Sequence, residues 1–563
     1  MRRIRLTPVL VSFWLVLLAV TVVVAARSSY RQSLRTEEYA YACDPFGYLR
    51  MAKEIRKAAD RRELPQFRLE SQQTRLLINF MQSRNVPVPL WDEVVAPHAH
   101  HYFPASGFVG VQYPPGTGLT LAIYPEGKAV YSLNLTVVLV FLVTGILALV
   151  IAAYKQAWAS AGFIVLPIYL GLAILGRMGA LSFSINAVLV PILLSCALAL
   201  ISLKLRVDNR HRLALISALG AGLFLGFATL IRLPAVLLTP GFLILLWPNS
   251  WRAGIRSLPA VFLLGVILTG VLPVLAYQQA IAGAWYLPTY ANVDATLPTL
   301  ESLRNNVSYF LGKGDGAKDN WALVYGLAGF GGFALATHLS RRSKSSNRLG
   351  LSCRRLGVAA VIVWALPTVF FLTHKITAPY YAIPGIFGAI ALAAFGSLAI
   401  EVTQDNYSKQ FDKRKALWWL ALALLIWPGI ATSNRAWRGR SRTPAPAQAI
   451  AHDPIVLPSE LADDHAWVWA DLLTGSFWYY ADKPAFKIQF TNSETRAMIF
   501  KFVSDRGERQ YLIQDNERMQ QFMDEIIQWG GTLEPRGKVD GQPYFLIRWP
   551  QGGPLATNVA STN

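Results

Sequence analysis

The sequence predicts an α-helical polytopic membrane protein with two large polar regions on one side of the bilayer, and three observations carry that prediction. Apolar residues make up 53% of the 563-residue chain and charged residues only 15%, with a mean hydropathy of +0.34. That leaves too little polar surface for a soluble chain of this length. The apolar residues fall in runs of about twenty, the length a helix needs to cross a hydrocarbon core of roughly 30 Å. In lipid each such run must satisfy its own backbone, so each is read as a helix. Basic residues gather in alternate loops between the runs, the positive-inside pattern.

About eleven spans are expected. The first, near 9–26, follows Arg2, Arg3 and Arg5 and resembles a signal peptide, but it is long for one and further spans follow, so it is expected to stay uncleaved. The others are expected near 133–153, 158–176, 185–203, 213–231, 234–248, 257–277, 321–339, 357–373, 381–400 and 416–432. Loops assigned inside hold Lys155; Lys204, Arg206, Arg210 and Arg212; Arg252 and Arg256; the run from Arg341 to Arg355; and Lys409 to Lys415. The short outer turns hold little beyond Arg177, Arg232, His374 and Lys375. Parity and charge therefore agree on a cytoplasmic N-terminus and an extracytoplasmic C-terminus. These loops account for the net charge of +20, which is not read as a nucleic-acid footprint. Cys43, Cys196 and Cys353 are expected on the outer side, within the membrane and on the cytoplasmic side respectively, so no disulfide framework is expected.

The expected organisation is a transmembrane domain over 1–432, containing a first outer loop at 27–132, and an outer α/β domain over 433–563. In the first loop, Tyr48, Met51, Ala52, Ile55 and Ala59 repeat at helical spacing, with Arg50, Lys53, Arg56 and Lys57 opposite. Such a helix could lie on the membrane surface or pack on the protein's own loop. In the tail, 466–470, 486–490, 510–514 and 544–549 read as strands, with helical patterns at 494–503 and 515–529. The tail has no Gly-rich phosphate loop and no metal-spaced Cys/His set, so it is read as a recognition or scaffolding module.

Asp44 is the first candidate for chemistry. A carboxylate just outside the first span could take a proton from an acceptor hydroxyl; with Pro45 behind it, it could equally cap the amphipathic helix. His98, His100 and His101 are near-adjacent and share neither a helix face nor a strand face, and no carboxylate partner is fixed by spacing. A divalent metal is therefore an open possibility with no ligand assigned. Asp92, Glu93 and Glu126 add carboxylates that the spacing leaves unplaced. Tyr113-Pro114-Pro115-Gly116 is a rigid turn that returns Leu119–Tyr124 towards the bilayer. Arg177, Arg232, His374 and Lys375 stand at outer membrane ends, where a cation either snorkels to headgroups or faces a cavity and binds an anion.

The order of these features resembles the GT-C superfamily of membrane glycosyltransferases, which includes the protein O-mannosyltransferases and the aminoarabinose transferases acting on lipid A. The matching segments are Asp44 within DPFGYLRMA, QYPPGTGLTLAIYP (112–125), GLFLGFATLIRLPAVLLTPGFLILL (222–246), YQQAIAGAWYLPTY (277–290) and HKITAPYYAIPGIFGAIALAAFG (374–396). The chain departs from the family in offering Asn186 where many relatives carry an acidic residue, and in lacking an Arg before Tyr380. The resemblance implies transfer of a sugar from a polyprenyl-phosphate carrier to a lipid, glycan or protein acceptor at the outer face of the bacterial inner membrane. Asp44 would be the base. Arg232, Lys375 and His374 would hold the leaving phosphate, with Arg177 and Tyr380 beside them, and Tyr48, His101 and Tyr113 would complete the substrate site. The carrier supplies activation, so no nucleotide motif is required. The competing readings are a lipid-linked sugar transporter or flippase, a surface-polysaccharide polymerase or ligase, and a non-catalytic assembly subunit.

Overall fold

The structure is a computed structural model and describes residues 43–154, 183–247, 257–289, 299–310, 353–373, 383–402 and 457–550, with a few single positions elsewhere. Among the described residues six helices are long and apolar enough to cross a membrane: Ala129–Tyr154, Phe183–Val207, His211–Ile231, Ser257–Ala282, Arg354–Thr373 and Ile383–Ile400. Each coincides with an expected span. The expected spans at 9–26, 158–176, 321–339 and 416–432 lie outside the described residues, apart from single positions in the first two.

The expected span at 234–248 is shorter than predicted. Leu233–Leu246 begins as a 3-10 turn over Leu233–Leu238 and continues as an α-helix over Thr239–Leu246. The tighter winding rises about 2.0 Å per residue against about 1.5 Å in an α-helix, so the segment reaches roughly 24 Å. Its far end is tied to the start of the Cys353–Thr373 helix, where Arg355 Nη1 donates to Trp247 O at 2.5 Å. It thus runs from one end of the bundle to the other.

Neighbouring helices approach closely where side chains are small. A Cβ on Gly222 would stand 2.0 Å from Phe262 O, so His211–Ile231 and Ser257–Ala282 touch backbone to backbone. A π-helical stretch over Ile267–Val271 interrupts the second of these, and Thr269 Oγ1 donates across the contact to Leu223 O at 2.7 Å.

Residues 43–124 cap one end of this bundle. Strands β1 (Arg68–Leu69), β2 (His100–Phe103) and β3 (Phe108–Val111) form an antiparallel sheet in the order β1-β3-β2. It is pinned to the end of the Ser257–Ala282 helix, because Tyr277 donates to Val111 O at 2.9 Å and Ser106 Oγ donates to Ile281 O at 2.8 Å.

The C-terminal unit is α/β, as expected, but its strands differ in two places. Strands β4 (Ala466–Trp469), β5 (Arg509–Ile513), β6 (Thr532–Val539) and β7 (Gln542–Arg548) lie in the order β4-β5-β7-β6, with β4 and β5 parallel and the other pairs antiparallel. The expected strand at 486–490 does not form: only Phe486 bridges to Trp469, and the next residue turns away because Lys487 N–H donates to Val94 O of the first loop. Strand β6 was not expected. Its sequence, TLEPRGKV, carries Pro, Gly and charge, but it is an edge strand with mostly solvent-facing residues, where those are tolerated. Trp467, Trp469, Phe486 and Phe500 form the aromatic centre of this unit.

Candidate functional site

The helix bearing Asp44 runs from Asp44 to Arg61. Asp44 is its first residue, not its cap: Cys43 occupies the cap position, and its side chain makes no capping bond. The capping role is therefore corrected. The Asp44 carboxyl instead accepts a hydrogen bond from Tyr113, with Tyr113 Oη 2.5 Å from Asp44 Oδ1. Tyr113 Oη is also 2.9 Å from Cys43 Sγ, and Gln112 Nε2 donates to the same sulfur at 3.6 Å. The rings of Tyr48 and Tyr113 stack with centroids 4.5 Å apart. Gly47 makes this possible, since a Cβ there would stand 2.6 Å from Ala99 Cβ and 2.8 Å from the Tyr113 ring.

The amphipathic helix packs on the protein itself, which decides between its two expected placements. Phe46, Tyr48, Leu49, Met51 and Ala52 are buried, while Ala59, expected on the same face, is exposed and Ala58 is buried in its place. The basic face is engaged too. Arg50 Nη1 donates to Trp478 O at 3.3 Å, Lys53 Nζ to Tyr479 O at 2.7 Å, and Arg56 to the carbonyls of Leu121 and Tyr124.

The Tyr-Pro-Pro turn leads into a short helix, Gly116–Ala122, wedged between Asp44–Arg61 and the bundle. A Cβ on Gly118 would meet Met51 Cβ at 2.5 Å, and one on Gly116 would meet the Ile231 nitrogen at 2.5 Å. The wedge therefore reaches the end of the His211–Ile231 helix, where Arg232 begins the turn into the next segment. Arg232 Nη1 donates to Ser184 Oγ at 2.8 Å, at the start of Phe183–Val207. Two residues further along that helix, Asn186 Nδ2 donates to Asn134 Oδ1 at 3.2 Å, and both side chains are buried. Asn134 Nδ2, Asn186 Oδ1 and Thr117 Oγ1 have no hydrogen-bond partner among the described residues. One end of the bundle thus gathers a carboxyl, a guanidinium and buried amides around the wedge.

The three histidines do not converge on one point. His98 Nε2 lies 2.9 Å from Asp471 Oδ1, His101 Nδ1 lies 3.4 Å from Glu93 Oε1, and His100 Nδ1 lies 3.1 Å from His98 O. Among the described residues no group of three His, Cys, Asp or Glu side chains could hold a metal ion. His98 and His101 instead belong to a seam between the first loop and the C-terminal unit. Lys487, buried, donates to Glu93 Oε2 at 2.8 Å. Burial would raise the Glu93 carboxyl, but the His101 hydrogen bond and the Lys487 charge outweigh it and hold it at about 2. Burial lowers the His98 imidazole; burial would raise Asp471, yet its bond to His98 brings that carboxyl below its ordinary value. The Cys43 thiol is pushed up to about 11, by burial first and by Asp44 second, so it is a protonated neighbour and not a nucleophile.

Of the expected site residues, the structure brings together Asp44, Tyr48 and Tyr113, sets Arg232 behind the same wedge, and puts His101 in the seam. Arg177, His374, Lys375 and Tyr380 lie outside the described residues. Sequence reasoning did not single out Gln112, Ser184, Asn134, Asp471 or Lys487. A polar residue inside an apolar run was the available signal for Asn134; nothing in spacing marks a lysine that acts on a loop some 390 residues earlier in the chain. No family model matches this chain, and no curated protein or solved structure matches it.

Proposed function

We propose that the chain is a membrane glycosyltransferase of the GT-C kind, moving a sugar from a polyprenyl-phosphate carrier to an acceptor hydroxyl at the outer face of a bacterial inner membrane. The observation that carries this reading is the hydrogen bond from Tyr113 to Asp44. It orients the Asp44 carboxyl, the group proposed as base for an acceptor hydroxyl. In the proposed step the acceptor hydroxyl gives its proton to Asp44, its oxygen bonds to the anomeric carbon from the face opposite the carrier, and the carbon–oxygen bond to the lipid phosphate breaks. The phosphate leaves with the electron pair and its charge is met by Arg232, assisted by Lys375 and His374, with Arg177 and Tyr380 at the same rim. The Gly116–Ala122 wedge would keep water from competing as acceptor.

The full topology belongs to the same proposal: eleven spans, a cytoplasmic N-terminus and a periplasmic C-terminus. It is supported by the docking of the C-terminal unit on the first loop, which requires both on one side of the membrane.

The test is transfer by purified protein from a panel of polyprenyl-phosphate sugars to membrane extract, with Asp44→Asn beside wild type. Transfer lost in a folded variant supports the reading. Transfer that survives removes Asp44 from the chemistry. No transfer from any donor, with specific binding or flipping of a lipid-linked sugar, favours the transporter.

A further inference from the structure

Ala40 on one side of Asp44, and Phe46, Arg50 and Lys53 on the other, are gripped by one short helix of the C-terminal unit, Thr474–Ala481. Ala40 is held at both backbone groups: Ser476 Oγ donates to its carbonyl at 2.7 Å, and its N–H donates to Tyr480 Oη at 3.1 Å. Phe46 lies flat against Gly475, where an added Cβ would stand 2.4 Å from the ring. Arg50 and Lys53 then reach Trp478 O and Tyr479 O in the last turn of that helix. Last-turn carbonyls have no partner within their own helix and carry the negative end of its dipole, so two cations are the groups suited to cap them. Lys53 Nζ also sits 4.9 Å from the centre of the Tyr479 ring.

The grip holds the chain on both sides of Asp44 in sequence. Ser476 is fully buried and Phe46 is fully buried, so the contact has no slack to absorb a displaced backbone.

We propose that Thr474–Ala481 is a clamp that sets the position of the Asp44 carboxyl, with Arg50, Gly475 and Ser476 as positioning residues. The role in transfer rests on the glycosyltransferase reading; the mechanical coupling does not. The C-terminal unit is on this view a part of the site's framework, and severing its grip leaves the substrate-binding surfaces of the bundle in place while Asp44 loses its alignment.

Cys43, beside Asp44 and bonded to Tyr113, reports the coupling independently of turnover. The experiment is maleimide labelling of the purified full chain, read peptide by peptide by mass spectrometry so that Cys196 serves as a buried internal reference. Gly475→Ala improves helix propensity within its own unit but drives a methyl group into Phe46. Arg50→Gln removes a cap, and Arg50→Lys restores a cation that can reach the same carbonyl. The expected result is Cys43 labelling about tenfold faster in Gly475→Ala and Arg50→Gln, and within about twofold of wild type in Arg50→Lys. Transfer kinetics should show kcat falling about tenfold with the donor KM unchanged in the first two variants.

Cys43 labelling at the wild-type rate in both, with the C-terminal unit intact by limited proteolysis, overturns the clamp. A rise in donor KM with kcat unchanged also overturns it, since that is loss of binding and not of alignment. Faster labelling in a protein that transfers no sugar, wild type included, supports the coupling while sinking the transferase reading.

Discussion

Tyr113 donates its hydroxyl hydrogen to Asp44 across 69 residues of chain, with the two oxygens 2.5 Å apart and the Tyr113 ring stacked on Tyr48 one helical turn beyond. The bond joins the start of the Asp44–Arg61 helix to the turn that leads on towards Ala129–Tyr154. Loop closure and alignment of the carboxyl are therefore one event.

Tyr113→Phe keeps the ring stack and removes the donor. Folding stability should fall by about 1 kcal/mol, the usual net worth of one hydrogen bond. Transfer should fall much further than folding, because Asp44 loses the bond from Tyr113 that orients it. Thermal unfolding beside initial rates separates the two, and an unchanged rate in a folded variant would detach Tyr113 from the chemistry.

Six of the expected spans, and the Asp44 and Tyr113 segments, were legible in sequence for a plain reason. A run such as 133–153 answers to lipid alone, and Tyr113-Pro114-Pro115 answers to its own backbone restraint. The clamp and the seam were not legible, because Gly475, Lys487 and Arg50 take their meaning from partners hundreds of residues away. Lys487 illustrates this: it lies inside FKIQF, which read as a strand, whereas its backbone N–H bonds to Val94 O and its side chain to Glu93, both in the first loop, so only Phe486 bridges to the sheet. The tail's composition likewise hid β6, since an edge strand needs no apolar alternation to be held by its one neighbour.

Gly116 and Gly118 lie in the first turn of the wedge, two residues apart and facing different neighbours, and should respond differently to the same added methyl. At Gly118 the obstacle is Met51 Cβ, a side-chain atom on a helix that can shift, so Gly118→Ala should cost about 1–3 kcal/mol. At Gly116 the obstacle is the backbone of Leu230 and Ile231, which cannot turn aside, so Gly116→Ala should be the more severe and should displace Arg232 with it. Equal melting temperatures for the two variants would mean that the wedge does not seat on the His211–Ile231 helix.

Asp515 accepts the backbone N–H groups of Asp471 at 3.0 Å and Leu473 at 2.8 Å, directly beneath the seam. Burial first, and the charge of Asp471 after it, push its carboxyl from an ordinary 3.8 up to about 7. An acid that holds its proton more tightly when folded stabilises the folded state fully below its unfolded value. That contribution is then lost as pH rises through the folded value. The C-terminal unit should accordingly lose stability between about pH 4 and pH 7, and Asp515→Asn should flatten the profile across that window. Melting curves of both proteins across the range decide it; parallel profiles would show that Asp515 is not the titrating group.

The buried pair Asn134–Asn186 makes one hydrogen bond between the Ala129–Tyr154 and Phe183–Val207 helices, leaving one amide donor and one acceptor unpartnered among the described residues. Polar side chains inside a bundle in lipid couple by about 0.6 kcal/mol on average, with a maximum near 1.7 kcal/mol. Asn186→Ala alone orphans the remaining Asn134 carbonyl and should cost more than that coupling. Asn134→Ala on top of it removes the orphan and should recover part of the loss, because replacing both partners is cheaper than replacing one. A double-mutant cycle on unfolding in mixed detergent measures the interaction directly. Strict additivity would mean that the amides do not contribute to each other's stability, and that their burial at this end of the bundle answers to something other than holding the two helices together.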